Sequence, residues 1–242
     1  PMVTNVIYVT QDGNDDTDGL SEDRAKRTVK AACAISKPFT TVFVRAGNYT
    51  ENNPIVVPER VAIIGDNLRR VNLFYGNATE DFFHVNNAVY IAGVSFRGGK
   101  APGSAIAFPL TGAGPITTSP YVQNCTCFNT TGGGMRVDGR YARGTRSMVL
   151  DAFTQFNQGG PGIHILNQGY AQLVSIFTIC TSIGTWIESG GTCSISNSNT
   201  SFGDIGILSD GISPFLFGGR VQPGTGSDRS DSVTVIKISA RP

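Results

Sequence analysis

Residues 12–19 place four carboxylates, one carboxamide and two glycines in eight positions, a composition that suits either a bound cation or a sharp turn. Asn14, Asp16 and Asp18 have the alternate spacing with which a calcium loop supplies its oxygen ligands. The glutamate that should close such a loop is replaced by Ala25, and half a loop supplies too few oxygens for calcium. Because Asp, Asn and Gly also favour turns, we predict a turn here and assign no metal and no cofactor.

Glu188 and Asp210 form a second candidate for chemistry, because each lies four residues after a glycine of an internal repeat. Two carboxylates on neighbouring strands could act as the acid and the base of glycoside hydrolysis. Both residues also border glycine-containing turns, where acidic side chains are common. The turn interpretation is favoured, so we expect a non-enzyme, and cleavage of a glycan by this pair remains the alternative.

Two aromatic residues, Trp186 and Tyr170, could stack on sugar rings if their side chains face outward. The repeat aligns Trp186 with His164 and Leu208, so that two of the three residues in this column are apolar. A packed role is therefore favoured for Trp186 and His164. A glycan-binding stripe of Trp186 and Tyr170 is the alternative.

The composition excludes several classes of protein. The chain has 242 residues with 40% hydrophobic and 15% charged residues, which is enough for one all-β domain with a large core. The net charge is +1 without a basic stripe, which argues against nucleic acid as a partner. No apolar run approaches the ~20 residues of a membrane span, so we expect no membrane insertion. Five cysteines, an odd number in apolar surroundings, predict buried thiols rather than a disulfide framework.

An internal repeat indicates the elements that must position these residues. Segments 171–188 and 193–210 align at a fixed offset of 22 residues, and segment 147–166 aligns with them after a two-residue insertion at its Gly-Gly-Pro. The predicted columns are Val149, Leu173 and Ile195; Asp151, Ser175 and Asn197; Phe153, Phe177 and Asn199; Phe156, Cys180 and Phe202; and Gly162, Gly184 and Gly206. Short strands at this period predict a parallel β-solenoid, in which equivalent side chains stack about 4.8 Å apart.

Outside the repeat, the sequence predicts one helix, over residues 21–36 with Ser21 as its N-cap, that covers the open N-terminal end of the solenoid. Residues 100–120 contain three Gly and four Pro and predict an excursion from the coil. The predicted division is 1–40 for the first strand, acidic turn and capping helix; 41–221 for the β-helix; and 222–242 for a linker and strand that lead to a downstream domain.

Three stretches of the chain resemble virion structural proteins of marine T4-like cyanophages. They are I-Y-V-T-Q-D-G-N-D-D-T-D-G-L-S (7–21), N-Q-G-Y-A-Q-L-V-S-I-F-T-I-C (167–180) and S-N-S-N-T-S-F-G-D-I-G-I-L-S-D-G-I-S-P (196–214). The resemblance implies a pectate-lyase-like right-handed β-helix in a phage tail, baseplate or fibre component. It brings no catalytic motif that can be carried over to this sequence.

We therefore predict an all-β fold, a single-stranded right-handed parallel β-helix with an N-terminal capping helix. The predicted function is that of a structural module in the virion tail, within a tail fibre, tailspike or baseplate that takes part in host adsorption. Its expected partners are other virion proteins, host surface polysaccharide and two further copies of the chain in a homotrimer. A tailspike that binds or depolymerises a host glycan is the alternative function.

Overall fold

A computed structural model describes residues 5–110, 114–140 and 146–209, together with the backbone of 220–221 and 229–230. The strands are β1 (Val6–Val9), β2 (Thr41–Val44), β3 (Gly47–Glu51), β4 (Ile55–Val56), β5 (Ala62–Gly65), β6 (Val71–Tyr75), β7 (Phe83–His84), β8 (Tyr90–Ala92), β9 (Ser95–Arg97), β10 (Ser104–Ala107), β11 (Tyr121–Phe128), β12 (Gly133–Asp138), β13 (Ser147–Phe156), β14 (Pro161–Leu166), β15 (Tyr170–Ile179), β16 (Ile183–Ile187), β17 (Thr192–Ser196), β18 (Asn199–Ser201), β19 (Ile205–Ser209), β20 (Arg220–Val221) and β21 (Arg229–Ser230). The helices are a 3₁₀ turn at Glu22–Arg24 and α1 (Val29–Ile35).

The strands wind into a helix of coils with two main sheets. A twelve-stranded sheet runs β1-β2-β5-β8-β11-β13-β15-β17, with β3, β6, β9 and β18 joined to it. A seven-stranded sheet runs β4-β7-β10-β12-β14-β16-β19, and β20 and β21 form a separate antiparallel pair. Every described ladder in the two main sheets is parallel, and parallel crossovers are right-handed in almost all proteins. The predicted right-handed parallel β-helix is confirmed.

We call a file the series of residues that strand register places opposite one another on successive coils. One buried file runs through eight coils and consists of Ile7, Val42, Ile63, Ile91, Val122, Leu150, Leu173 and Ile195. All of its members except the last, Ile195, are buried. A fully buried aliphatic side chain of this size contributes roughly 1.5–3 kcal/mol, so such files are the main source of cohesion between coils.

The long strands β11, β13 and β15 each bend at a single residue with a left-handed backbone. The bend residues form a file of their own, which includes Asn124 (φ 50°), Ala152 (φ 49°) and Ser175 (φ 54°). A residue in this conformation changes the direction of an extended strand. The two halves of β11 accordingly pair with separate strands, β8 and β9, and the two halves of β15 pair with β17 and β18. Ala152 bears the steric cost of about 1–2 kcal/mol that a Cβ imposes in this conformation.

The register corrects the predicted alignment of β13. Val149 lies opposite Gln172, and Leu150 is the residue that faces Leu173 inside the coil. The offset from β13 to β15 is one residue longer than the offset from β14 to β16, so the insertion is one residue and not two. For the same reason Asp151 pairs with Val174, Phe153 with Ile176 and Phe156 with Ile179, and the three predicted columns that began at these residues are wrong in their first member. A one-residue shift exchanges the inner and outer faces of a strand.

Other predictions for the coils have mixed outcomes. Leu173 faces Ile195 and Phe177 faces Asn199, so the alignment at an offset of 22 residues is confirmed. Residues 100–120 are not wholly an excursion, because β10 lies inside them and pairs with β7 and β12. All five cysteines are free, and Cys33, Cys125 and Cys127 are buried. The linker and strand predicted in 222–242 fall outside the described residues, apart from the backbone of β21.

The predicted helix over 21–36 is divided in two. Ser21 makes no side-chain cap, and α1 begins after Thr28, whose hydroxyl accepts the Ala31 N–H at 3.1 Å. The interruption arises because Lys26 pairs with β1: its N–H donates to Tyr8 O at 2.8 Å, and its carbonyl accepts from Thr10 N at 2.9 Å. Backbone groups that bond to a strand in this way cannot also make helical bonds.

The N-terminus of α1 rests on a buried carboxylate. Glu51 Oε1 accepts the Val29 N–H at 2.7 Å and Oε2 accepts the Lys30 N–H at 3.1 Å, while the Glu51 residue is only 1% exposed. Burial raises the pKa of Glu51, and the two backbone donors oppose that effect. Glu51 therefore ties the capping helix to the third strand of the solenoid through groups that a helix end otherwise leaves without partners.

We expect Glu51→Ala to lower the free energy of unfolding by about 2–3 kcal/mol, because it removes the acceptor from two buried N–H groups. Urea denaturation followed by circular dichroism measures the change. Glu59→Ala is the matched control, since Glu59 is exposed and should tolerate the change. Equal stability of the two variants would show that Glu51 does not hold the cap.

A file of glycines, Gly162, Gly184 and Gly206, lies where the chain turns into the seven-stranded sheet, as the sequence predicted. A Cβ at Gly184 would lie 2.5 Å from Gly206 O and 2.5 Å from Thr200 Oγ1. Neighbouring coils therefore approach so closely at this file that only hydrogen fits.

We expect Gly184→Ala to destabilise the protein by about 1–3 kcal/mol, because overpacking forces adjacent coils apart. Thermal unfolding monitored by circular dichroism tests the change. Gly114→Ala serves as the control, because a Cβ there meets no atom within 4 Å. A wild-type midpoint for Gly184→Ala would contradict the close approach.

Candidate functional site on the outer face of the coils

The outer face of the seven-stranded sheet carries the residues with the strongest potential for chemistry. One outward file runs through this sheet and consists of Val56, His84, Ala107, Arg136, His164, Trp186 and Leu208. The predicted alignment of His164 with Trp186 and Leu208 is confirmed. The sequence did not indicate that His84 and Arg136 belong to the same file.

His164 stacks on an aromatic ring and lies within hydrogen-bond distance of a carboxylate. Its ring lies 4.4 Å from the Trp186 ring with an interplanar angle of 10°, and its Nε2 is 2.9 Å from Glu188 Oε1. Burial lowers the pKa of His164, and the Glu188 carboxylate opposes this without outweighing it. At neutral pH the imidazole is therefore neutral, with Nε2–H assigned as the donor to Glu188.

His84, an earlier member of the same file, forms a second contact between an imidazole and a carboxylate, that of Asp81. Asp81 Oδ2 is 3.0 Å from His84 Nε2 and 2.6 Å from Arg136 Nη2, and Asp81 Oδ1 accepts the Ser104 N–H at 2.9 Å. Arg136 reaches Asp81 across Ala107, whose side chain is small. Burial would raise the pKa of Asp81, but the His84 hydrogen bond and the Arg136 charge together lower it.

The carboxylates on this face are engaged by neighbours. Glu188 is held by His164 and Asp81 by Arg136, while the buried Asp138 accepts the Asn167 Nδ2–H at 2.8 Å and the Arg140 N–H at 2.9 Å. Asp210, the predicted partner of Glu188, lies outside the described residues. A carboxylate that already neutralises a cation or orients an imidazole stabilises the outer face, so the geometry favours a structural role for these groups.

Trp186 and Tyr170 lie on different sheets, so the structure does not bring them into one stripe. Trp186 lies in β16 with one ring face covered by His164 and with Leu208 as its neighbour in the next coil. Tyr170 begins β15 in the twelve-stranded sheet and is 40% exposed.

The twelve-stranded sheet carries an outward polar network that sequence reasoning missed. Tyr121 OH donates to Asp151 Oδ2 at 3.0 Å, Gln123 Nε2 donates to the same oxygen at 3.3 Å, and Tyr90 OH donates to Gln123 Oε1 at 3.0 Å. The hydrogen bond to Asp151 raises the pKa of Tyr121. The predicted columns did not extend to β8 and β11, so they gave Asp151 no neighbour on that side, whereas register places Gln123 opposite it.

The acidic turn uses its side chains locally. Asn14 Oδ1 accepts the Asp16 N–H at 3.0 Å, and Asp18 accepts the Leu20 N–H at 3.0 Å and pairs with Arg24 at 3.0 Å. In the part of the chain that the structure describes, no three His, Cys, Asp or Glu residues come together as a metal site. The bonding of Asn14, Asp16 and Asp18 is that of a turn.

The coil architecture and its outer-face ladders define a parallel β-helix protein. The chain belongs to the DUF1565 family of proteins of unknown function, whose family model matches residues 11–165. Within residues 5–110, 114–140 and 146–209, no helix is long and apolar enough to span a bilayer.

Two solved structures are among those similar to this chain. One is a rhamnogalacturonan lyase, with 11% identity, a TM-score of 0.48 and coverage of 86% of this chain and 62% of the lyase. The other is ORF18 of Geobacillus virus E2, with 13% identity, a TM-score of 0.39 and coverage of 84% of this chain and 55% of that protein. This chain thus spans less than two thirds of either structure, and no curated protein matches it.

We expect His164 to titrate below the ordinary imidazole value of 6.5, because burial disfavours its charged form. Its contribution to stability is therefore full above pH 6.5 and is lost as the pH falls through the lower pKa of the folded state. Glu188→Gln should lower the pKa further, since it removes the carboxylate that favours imidazolium.

NMR titration of the two histidine ring resonances measures this pKa, and His84→Asn assigns them. Glu59→Gln is the charge-matched control, because Glu59 is exposed and should leave the pKa unchanged. A His164 pKa above 6.5 would contradict the dominance of burial, and no response to Glu188→Gln would refute the pairing.

Proposed function

We propose that this chain is a rigid structural module of a phage virion, located in the tail or its host-adsorption apparatus. The observation that carries the proposal is the unbroken parallel stack from β1 through β17 and from β4 through β19. In such a stack each coil is hydrogen-bonded to the next, so no coil can separate without breaking a whole ladder. The phage setting is supported by the resemblance of residues 7–21, 167–180 and 196–214 to cyanophage virion proteins.

The proposal includes side-by-side packing of three copies and contact with other virion proteins. Several outward aromatic side chains on the β6-β9-β11-β13-β15 face support it: Phe74 is 38% exposed, Phe128 is 38% exposed and Phe177 is 45% exposed. Phe128 also lies 6.3 Å from Phe156 between ring centroids, and exposed apolar groups that lie close together often mark protein interfaces. A homotrimer would cover them.

A second candidate function is binding of a host surface glycan. It is favoured by the exposed ring of Tyr170 and by the polar network around Asp151. Cleavage of a glycan is less well supported, because Glu188 and Asp81 are held by a neighbouring imidazole or guanidinium.

The test of the structural role is the presence of the protein in virions. We expect its peptides in the mass spectrum of gradient-purified particles of the virus that encodes it, and antibodies against the chain should label the tail in electron micrographs. Antibodies against the major capsid protein are the positional control. Absence from purified particles, or labelling of the capsid alone, would overturn the proposal.

A further inference from the structure

The outer side of the twelve-stranded sheet presents a polar and aromatic surface that we call the tyrosine face. It consists of Tyr90, Tyr121, Gln123, Asp151, Tyr170 and Gln172. These residues lie on β8, β11, β13 and β15, which are successive strands of the sheet. With a spacing of about 4.8 Å between parallel strands, the tyrosine face extends over roughly 14 Å along the coil axis.

Tyr170 differs from the other outward aromatics in its neighbours. Register places Ser147 on one side of it and Thr192 on the other, and both have small side chains. Trp186, by contrast, has His164 stacked on one face at 4.4 Å. Tyr170 therefore offers an open ring face to a flat apolar partner, whereas Trp186 does not.

Hydrogen-bonding groups lie on the same sheet face as this ring. Gln172 is exposed on the same face of β15, two residues after Tyr170. On the preceding coils, Asp151 Oδ2 accepts from Tyr121 and Gln123, while Asp151 Oδ1 has no protein donor among the described residues. The network fixes the Asp151 carboxylate with one oxygen still able to accept, which is a preorganised acceptor for a hydroxyl group.

The charge of the tyrosine face selects among ligands. Strands β8, β11, β13 and β15 contain no lysine and no arginine, and Asp151 is the only carboxylate within them. A uronate or a sulfated sugar would meet a like charge at Asp151 and no cation on these strands. An uncharged sugar would meet an aromatic ring together with amide and carboxylate hydrogen-bond groups.

We infer that the tyrosine face binds a neutral, hydroxyl-rich polysaccharide, with Tyr170 stacking on a sugar ring and Asp151 accepting from a sugar hydroxyl. Register places Tyr170 opposite Ser147, four residues along β13 from Asp151, so the two groups are about 13 Å apart along the strands and one coil apart. The chain of the polysaccharide therefore runs mainly along the strands and spans several sugar residues. This inference rests on the proposed adsorption role for its biological setting and names the class of ligand.

The test is binding of the full chain to a glycan array that carries neutral, uronate-containing and sulfated polysaccharides. We expect retention on neutral glycans only. Tyr170→Ala should weaken binding about tenfold, which corresponds to the loss of one aromatic stacking contact, whereas Tyr170→Phe should retain it. Asp151→Asn should weaken binding to neutral glycans and relax the discrimination against uronate-containing and sulfated glycans, because it removes the like charge.

Phe202→Ala is the matched control, because Phe202 is a 63% exposed aromatic that lies outside both the tyrosine face and the proposed trimer interface. Circular dichroism confirms that each variant is folded. Preference for acidic glycans, absence of binding to every neutral glycan, or equal effects of Tyr170→Ala and Phe202→Ala would each overturn the inference. These results are independent of virion mass spectrometry, so failure of the ligand assignment can be distinguished from failure of the structural role.

Discussion

The parallel ladders bond each coil to the coils before and after it, and backbone register therefore chooses the neighbours of every side chain. Inside the solenoid this constraint produces the apolar file from Ile7 to Leu173, whose members pack on one another. It also explains the glycines near Gly184, because adjacent coils approach closely wherever the chain turns. The stack of coils ends at the capping helix α1, whose first two backbone N–H groups donate to the Glu51 carboxylate.

On the outer surface the same constraint brings polar side chains together that lie far apart in the chain. Arg136 reaches Asp81 across Ala107, and His164 meets Glu188 from the neighbouring coil. Each of these contacts joins different coils, so the outer face contributes to cohesion along with the core. The partly buried ion pair of Asp81 and Arg136 contributes more than a fully exposed pair because solvent screens it less.

The residues that lie opposite an aromatic side chain on adjacent coils also decide whether a face of its ring is open to a ligand. Trp186 and Tyr170 are both outward residues of the same coil, yet His164 stacks on Trp186 while only Ser147 and Thr192 flank Tyr170. The capacity to bind a sugar ring thus depends on residues contributed by adjacent coils. Residue type alone would have ranked the tryptophan above the tyrosine.

The sequence by itself determined the solenoid, the N-terminal cap and the register of the two coils that share an offset of 22 residues, because stacked coils require the same pattern of apolar residues and glycines. It did not determine the register of β13, where one inserted residue moves Leu150 inward in place of Val149. Nor did it reveal that Lys26 interrupts the helix, or that Asp151 meets Tyr121 and Gln123. These features depend on which backbone groups pair across coils, and only the tertiary structure makes that choice.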